Sequence, residues 1–259
     1  MQLIRPYVPV SFLEISPVSI IRTAIDTARQ FPYPVQIQGA PGYGKTTALY
    51  HLSKEDGATY CHVGAGMKSV PDMYRMLLAA FEIQHDENYT RDLYNRLVGT
   101  LRRRLEYDEI DGLPRRLLVV DEVQTLEATA QRELLNIQET CEIALIMSGN
   151  GERLAKSRVD RNAWEQINSR LGMRVQLPPL NEQDCIEIGT AFAVEGMDSY
   201  RAITAMGTQT SVRELIRVLE QAKVLTVGGS GIHLQHINQA VLAIYGTSDA
   251  LKRLKPREE

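Results

Sequence analysis

The chain of 259 residues has few cysteines, no long apolar run and no large excess of either charge. Its three cysteines, Cys61, Cys141 and Cys185, are odd in number and lack metal-like spacing, which argues against a disulfide framework and predicts reduced thiols. No apolar run approaches the ~20 residues that cross a membrane. The N-terminal residues lack the apolar segment of a secretory signal, so we expect a cytoplasmic protein. A net charge of −3 argues against a surface coated in positive charge, but it leaves room for a local basic patch.

Residues 39–46 read GAPGYGKT and match the phosphate-loop pattern G-x-x-x-x-G-K-[ST] at every position. Glycines at this spacing let backbone N–H groups point at phosphate oxygens, and the helix that follows adds its positive dipole end. Lys45 is expected to reach the β- and γ-phosphates, and Thr46 to bind Mg²⁺. The residues expected to bind ATP here are Gly39, Ala40, Pro41, Gly42, Tyr43, Gly44, Lys45, Thr46 and Thr47. The alternative is a chance glycine turn.

Five short apolar segments alternate with helical patterns along the first 180 residues or so. Strands are expected at about 35–38, 58–63, 117–120, 143–147 and 174–177, with helices at about 17–30, 47–52, 69–83, 90–107 and 127–140. Further helices at about 181–194, 211–226 and 233–244 follow Pro179. This order predicts an α/β fold with a parallel five-stranded sheet flanked by helices. We expect an N-terminal extension (1–34), an α/β core (35–179), a small helical subdomain (180–248) and a charged, disordered tail (249–259).

The apolar run 117–120 ends in two adjacent carboxylates, Asp121 and Glu122. Ligands bind at the C-terminal edge of the strands in open α/β sheets, so both side chains are expected at the nucleotide. Asp121 would hold Mg²⁺, and Glu122 would orient or deprotonate the attacking water. A buried strand that ends in a charged turn is the alternative, and it becomes the minor one beside a phosphate loop.

Four further polar residues lie where a nucleotide site could use them. Asn150 follows the apolar segment 143–147 and is expected near the γ-phosphate, although Gly-Asn is also an ordinary turn pair. Arg170 has a fixed charge and a fork geometry that suit a neighbouring subunit's γ-phosphate, with Arg174 as a second candidate and an exposed helix-end arginine as an equal alternative. Arg213 lies early in an expected helix, where it either folds back on the nucleotide or pairs with a nearby glutamate.

These motifs, in this order, resemble those of the AAA+ ATPases, whose Walker A, Walker B and sensor 1 elements they match at 40–46, 119–122 and Asn150. Arg170 then matches the arginine finger and Arg213 matches sensor 2. Within that superfamily the chain resembles the DNA-transposition group of MuB, IstB, TniB and TnsC. The segments that carry this likeness are GAPGYGKT, 101–106, 132–139, 146–150 and 169–174. The resemblance implies an ATP-dependent homo-oligomer, with ATP sites at subunit interfaces, that forms a helical filament on duplex DNA. Such a protein selects the target site and recruits and stimulates a transposase, and ATP hydrolysis drives its disassembly. The helical subdomain would then be the lid.

The same resemblance places DNA against the segment that follows the second strand. Here that segment gives Met67, Lys68 and Ser69 as DNA-binding candidates, with Ser69 as a helix cap in the plainer interpretation. Arg103 is a further candidate, although it lies opposite the leucine stripe of its helix and so equally indicates a solvated face. A second basic run contains Arg153, Lys156, Arg158 and Arg161, and it suits either DNA or a neighbouring subunit. Because only about 34 residues precede the first strand, we expect DNA binding by the ATPase body.

Two other functions remain open at the level of the sequence. One is a helicase loader or replication adaptor, in which DNA is secondary to a protein partner. The other is an ATPase of the secretion-associated ExeA type or a signalling switch, because the segment 121–124 (DEVQ) resembles that group as well.

Overall fold

The computed structural model describes residues 12–150, 158–226 and 231–255. The strands are β1 (Val35–Gln38), β2 (Thr59–His62), β3 (Leu117–Asp121), β4 (Ala144–Gly149) and β5 (Met173–Gln176). The helices are α1 (Ser16–Gln30), α2 (Lys45–Glu55), α3 (Val70–Ala80), α4 (Thr90–Ile110), α5 (Ala128–Thr140), α6 (Arg158–Arg170), α7 (Glu182–Ala191), α8 (Met197–Gln209), α9 (Val212–Val224) and α10 (Leu234–Tyr245). Short 3-10 helices span Val123–Thr125 and Ser248–Leu254.

The five strands form one parallel sheet in the order β2-β3-β4-β1-β5, which confirms the expected fold class. Strands β3 and β4 are buried along their whole length, as their continuous apolar sequences indicate. Because β4 lies between β3 and β1, the residues that follow these three strands come together at one edge of the sheet. That edge carries the phosphate loop (residues 39–46) after β1 and the carboxylates after β3.

Helices α3, α4 and α5 bury their apolar residues in one core with β2, β3 and β4. In α4 the residues Leu93, Leu97 and Leu101 recur every fourth position and are buried, because this spacing places them on one helical face. Ser69 accepts a hydrogen bond from the backbone N–H of Asp72 and fixes the start of α3 in a capping box. These helices therefore pack on the strand whose end carries the two carboxylates.

The chain divides into two compact units. In its described part, one unit contains residues 20–39, 46–150 and 158–176, and therefore the sheet. The other contains 12–19, 40–45 and 177–226 with 231–255, and it is helical. In the second unit α7 packs on α8, and α9 on α10. The buried Asp184 accepts hydrogen bonds from the Ser16 backbone N–H at 2.7 Å and from its hydroxyl at 2.8 Å.

Three segments differ from the sequence-based expectation. Helices α6 and α8 were not expected, since α6 is highly polar and α8 mixes small and polar residues with few large apolar ones. Residues Ser248–Leu254 form a 3-10 helix in place of the disordered tail expected from 249. Ala250 and Leu254 of this helix are buried, because it packs on α8 and α10, and a local charge pattern does not reveal such packing.

The cysteines are free, as expected, and all three are buried. Burial raises the pKa of Cys141 and of Cys185 to about 11. Among the helices that the structure describes, none has the length and apolar character needed to cross a membrane.

Candidate nucleotide site

The phosphate loop turns through two glycines with positive φ angles, Gly42 at 86° and Gly44 at 79°. Backbone of this kind is accessible to glycine at little cost, which explains why the motif requires glycine at these positions. Helix α2 begins at Lys45, so the N-terminus of a helix directly follows the loop. Lys45 is only 6% exposed, and its Nζ donates a hydrogen bond to the Ala40 carbonyl at 3.0 Å. Its amine is therefore held over the loop that the sequence assigns to the phosphates.

Asp121, the last residue of β3, accepts two hydrogen bonds on the same carboxylate oxygen, Oδ2. The Thr46 hydroxyl donates at 2.7 Å and the Tyr60 hydroxyl at 3.1 Å. The ring of His62 lies beside them, with Nδ1 at 3.5 Å from Oδ2, a distance that suits an ion pair better than a hydrogen bond. The structure thus brings together the threonine and the aspartate that the sequence assigned to Mg²⁺.

The environment of Asp121 favours its ionised form. Burial alone would raise its pKa, but His62 and the Thr46 hydroxyl outweigh burial, so the pKa of Asp121 lies below its ordinary value. The nearby Ser148 hydroxyl adds to this lowering, although its oxygen makes no hydrogen bond of good geometry with any described residue. In turn, Asp121 raises the pKa of His62.

The oxygens around Asp121 fit a magnesium ion. Asp121 is fully buried, and its second carboxylate oxygen, Oδ1, has no hydrogen-bond partner within the described part of the chain. Mg²⁺ prefers carboxylate and hydroxyl oxygens and is commonly bound by one or two of them together with substrate phosphates. Asp121 and Thr46 would hold such an ion, which when bound would neutralise charge on the phosphates.

Glu122 follows Asp121 in a left-handed backbone conformation, with φ 58° and ψ 36°. A residue other than glycine in this region is strained by about 1–3 kcal/mol and tends to occur at functional sites. Gln131 of α5 holds the next turn in place, because its side-chain Nε2 donates to the carbonyls of Val123 at 3.0 Å and Leu126 at 2.9 Å. The Gln124 Nε2 donates to Glu122 Oε2. The conformation of Glu122 is therefore supported by contacts within the turn that follows it.

Asn150 follows β4 directly and is half-buried, so the sheet order places it beside the end of β3 or of β1. Its role at the γ-phosphate stays a prediction. The same strand end brings Ser148 close to Asp121, a neighbour that the sequence analysis did not identify.

Arg213 meets the phosphate loop through its backbone. Its N–H donates to the carbonyl of Gly42 at 3.0 Å. The residue lies in the first turn of α9 with its side chain exposed, and Ser211 caps that helix by accepting from the Glu214 N–H at 3.2 Å. Glu214 forms an ion pair with Arg253, at 3.6 Å, rather than with Arg213. The backbone of Arg213 thus contacts the loop, and the role of its side chain at a nucleotide stays a prediction.

Arg170 ends α6 and forms an exposed ion pair with Glu139 of α5 at 3.5 Å. Its side chain is 45% exposed. This exposure is compatible with action on a neighbouring subunit, and it is equally compatible with an ordinary arginine at a helix end. Arg174 lies on β5, and its Nη2 donates to the carbonyl of Asn168 at 3.1 Å. The choice between the two arginines stays a prediction.

The segment after β2 is tied to the loop that carries Glu122. The carbonyl of Lys68 accepts from the Glu127 N–H at 2.9 Å, and the Val63 N–H donates to the carbonyl of Asp121 at 2.9 Å. Lys68 is exposed, whereas Met67 packs on the core and Ser69 is engaged in the cap of α3.

The remaining basic candidates are less informative. Arg103 is exposed on α4 and donates to the carbonyl of Gly99 in its own helix, at 3.1 Å. The basic run Arg153, Lys156, Arg158 and Arg161 lies outside the residues whose side chains the structure describes.

Tyr60, His62 and Gln124 also belong to this site, and the sequence analysis did not identify them. Tyr60 and His62 alternate near the end of β2, the strand next to β3, and both half-buried side chains point towards Asp121. A polar pair at alternate positions near the end of a strand was the available signal, but its use required knowing that β2 pairs with β3. Burial, with Asp121 as a second cause, raises the pKa of Tyr60 and keeps its hydroxyl protonated as a donor.

Comparisons with known proteins concern the fold. Residues 33–156 match the family model described as an AAA domain. No curated protein sequence matches the chain.

Solved structures similar to this one include the ADP form of the Aeropyrum pernix ORC2 protein, with a TM-score of 0.61 and 15% identity, over 90% of this chain and 70% of that one. The Aeropyrum pernix ORC1 protein in complex with DNA is similar with a TM-score of 0.59 and 16% identity, over 92% of this chain and 67% of that one. At such identities the likeness concerns the fold. The described part of the chain, with its parallel five-stranded sheet and flanking helices, has the fold of an AAA-type P-loop NTPase.

Proposed function

We propose that the protein is a magnesium-dependent ATPase whose ATP-bound, oligomeric form binds duplex DNA and regulates DNA transposition. The observation that carries the ATPase is the hydrogen bond between Thr46 and Asp121, beside the buried Oδ1 of that aspartate. In P-loop proteins a threonine or serine hydroxyl and an aspartate carboxylate at these positions hold the Mg²⁺ that phosphoryl transfer requires. Glu122, one residue later, is the proposed base for the attacking water.

Substitution of Glu122 tests this assignment. Glu122→Gln keeps the shape of the side chain and removes its ability to accept a proton. We expect ATP binding to persist and turnover to fall by about 10²–10⁴-fold, the usual contribution of a general base. Lys45→Ala should lose both binding and turnover, because Lys45 is the cation held over the phosphate loop.

Glu142→Gln is a matched control for the base. Glu142 is an exposed glutamate with a positive φ of 51°, and it follows α5 rather than β3. The control should retain wild-type turnover. Undiminished ATP hydrolysis by Glu122→Gln would contradict the assignment of the base.

Binding to DNA is proposed for the exposed end of the segment after β2, with Lys68 as the phosphate contact. The similar ORC1 protein was solved in complex with DNA, and the transposition-type motifs of this chain imply a filament on DNA with a transposase as partner. Binding to arbitrary duplex should require ATP and weaken steeply as salt rises, because each phosphate contact releases counterions.

A replication-type role is the second candidate, and the similarity to the ORC proteins favours it. Electron microscopy of the protein with duplex DNA and a non-hydrolysable ATP analogue separates the two. Helical filaments would support the transposition role. A stable complex with a replicative helicase, without filaments on naked DNA, would support the replication role instead.

A further inference from the structure

Gln124 lies in the 3-10 turn that follows the two carboxylates of β3, and its side chain returns to Glu122. A carboxamide carries two donors on its nitrogen and an acceptor on its oxygen. The nitrogen donates to Glu122 Oε2, and the opposite orientation would set two oxygens against each other. The pairing therefore requires a donor at position 124, which glutamine supplies and glutamate lacks.

The end of β4 leaves room for this carboxamide. A Cβ atom placed on Gly149 would overlap the Gln124 side-chain oxygen and would lie 3.3 Å from Cδ. Gly149 does not have a positive φ, so its backbone does not require glycine. The close approach of Gln124 therefore explains why the residue at the end of β4 is a glycine.

The turn itself leaves Gln124 little freedom. Gln131 of α5 binds the carbonyls of Val123 and Leu126, on both sides of Gln124. The strained backbone of Glu122 begins the same turn. Because the backbone is fixed at these points, the carboxamide of Gln124 is held between Glu122 and the end of β4.

We propose that Gln124 is a positioning residue for hydrolysis, which holds one oxygen of the Glu122 carboxylate so that the other is directed at the attacking water. This inference rests on the proposed ATPase function. The hydrogen bond to Oε2 leaves Oε1 as the oxygen that takes the proton. Because the side chain of Gln124 donates to Glu122, its loss should change turnover and not nucleotide affinity.

The test compares Gln124→Glu and Gln124→Ala with the wild-type protein in steady-state ATP hydrolysis and in binding of a fluorescent ATP analogue. Both variants should lose about tenfold or more in kcat, because small misplacements of catalytic groups have effects of this size. Nucleotide affinity should stay within about twofold of wild type. Gln124→Glu keeps the volume but adds a charge beside Glu122 as it removes the donor, whereas Gln124→Ala removes the donor without adding a charge. Near wild-type or raised kcat in both variants would overturn the proposal.

A double-mutant cycle with Gly149→Ala tests the contact itself. Gly149→Ala should lower kcat and thermal stability in the wild-type background, and it should change neither in the Gln124→Ala background, where the overlapping side chain is gone. Gly99→Ala is the control, because no described atom lies within 4 Å of a Cβ at this position in α4. Equal effects of Gly149→Ala in both backgrounds would overturn the contact.

The two proposals fail in different ways. If the wild-type protein hydrolysed no ATP, or if Glu122→Gln left hydrolysis unchanged, the proposed function would be wrong, while the stability cycle would still report on the contact. If Glu122→Gln abolished hydrolysis and the Gln124 variants retained full kcat, only the role of Gln124 would be wrong.

Discussion

Gly42 of the phosphate loop lies against Ser211 at the start of α9, whereas Gly44 of the same loop has no such neighbour. The difference predicts how much more an alanine at position 42 should destabilise the protein than one at position 44. Gly42 and Gly44 share a positive φ, so replacement by alanine strains the backbone at either position by about 1–3 kcal/mol. They differ in their surroundings. A Cβ on Gly42 would lie 2.7 Å from Ser211 Oγ and 2.9 Å from Ser211 Cβ. No described atom lies within 4 Å of a Cβ on Gly44.

Gly42→Ala should therefore destabilise the protein by about 1–3 kcal/mol more than Gly44→Ala, the usual cost of forcing an extra carbon into a packed contact. The measurement is urea unfolding followed by far-UV circular dichroism, without nucleotide, so that phosphate binding does not contribute. Replacement of Ser211 by glycine removes both clashing atoms and, at a helix N-cap, costs only about a few tenths of a kcal/mol.

In the Gly42→Ala background, Ser211→Gly should thus recover most of the extra loss. Equal destabilisation by the two loop substitutions would refute the contact between the phosphate loop and α9. So would a Gly42→Ala protein that Ser211→Gly fails to rescue.

Two further predictions concern the exposed basic residues. Lys68→Ala should weaken binding to all duplex sequences alike and reduce the slope of log affinity against log salt by about one, whereas Lys223→Ala at the end of α9 should change neither; sequence-dependent loss would argue against a phosphate contact. If Arg170 acts on a neighbouring subunit, Arg170→Ala should abolish hydrolysis with little loss of nucleotide affinity, and mixing with Glu122→Gln subunits should restore part of the turnover. Glu139→Ala removes only the ion pair of Arg170 and should keep full hydrolysis, so equal losses in these two variants would indicate a structural role for the arginine.

Most of the fold could be predicted from local sequence patterns. Burial leaves a pattern that can be recognised within a single segment, as in the apolar runs of β3 and β4 and the leucine spacing of α4. These elements were therefore predictable. Helix α8 was not, because its small and polar residues become buried through packing on α7 and α9, which neighbouring residues in the sequence do not reveal. The same holds for Ser248–Leu254, where Ala250 and Leu254 are buried among helices distant in sequence.

The residues of the candidate site also divide into those that local patterns predict and those that depend on contacts distant in sequence. The phosphate loop, Asp121 and Glu122 were predictable, because spacing within a short segment is sufficient to specify them. Tyr60 and His62 reach Asp121 only because β2 pairs with β3 in a register that sets His62 opposite that residue. The approach of Gln124 to Gly149 depends on the pairing of β3 with β4. The residues proposed to act on the nucleotide are thus specified locally, and the residues that contact them are specified by the order of the strands.

The left-handed backbone of Glu122 is energetically costly for a residue with a Cβ atom. Glycine and asparagine adopt the left-handed region at a lower conformational energy than glutamate does. Local backbone preference therefore does not explain a glutamate at position 122. The surrounding contacts provide the reason. Gln131 fixes the turn, Gln124 fixes the carboxylate, and Asp121 before it is fixed by Thr46. Glu142 adopts the same backbone region, with φ 51°, so the cost of about 1–3 kcal/mol does not by itself distinguish Glu122. The contacts that hold its carboxylate beside Asp121 are what set Glu122 apart.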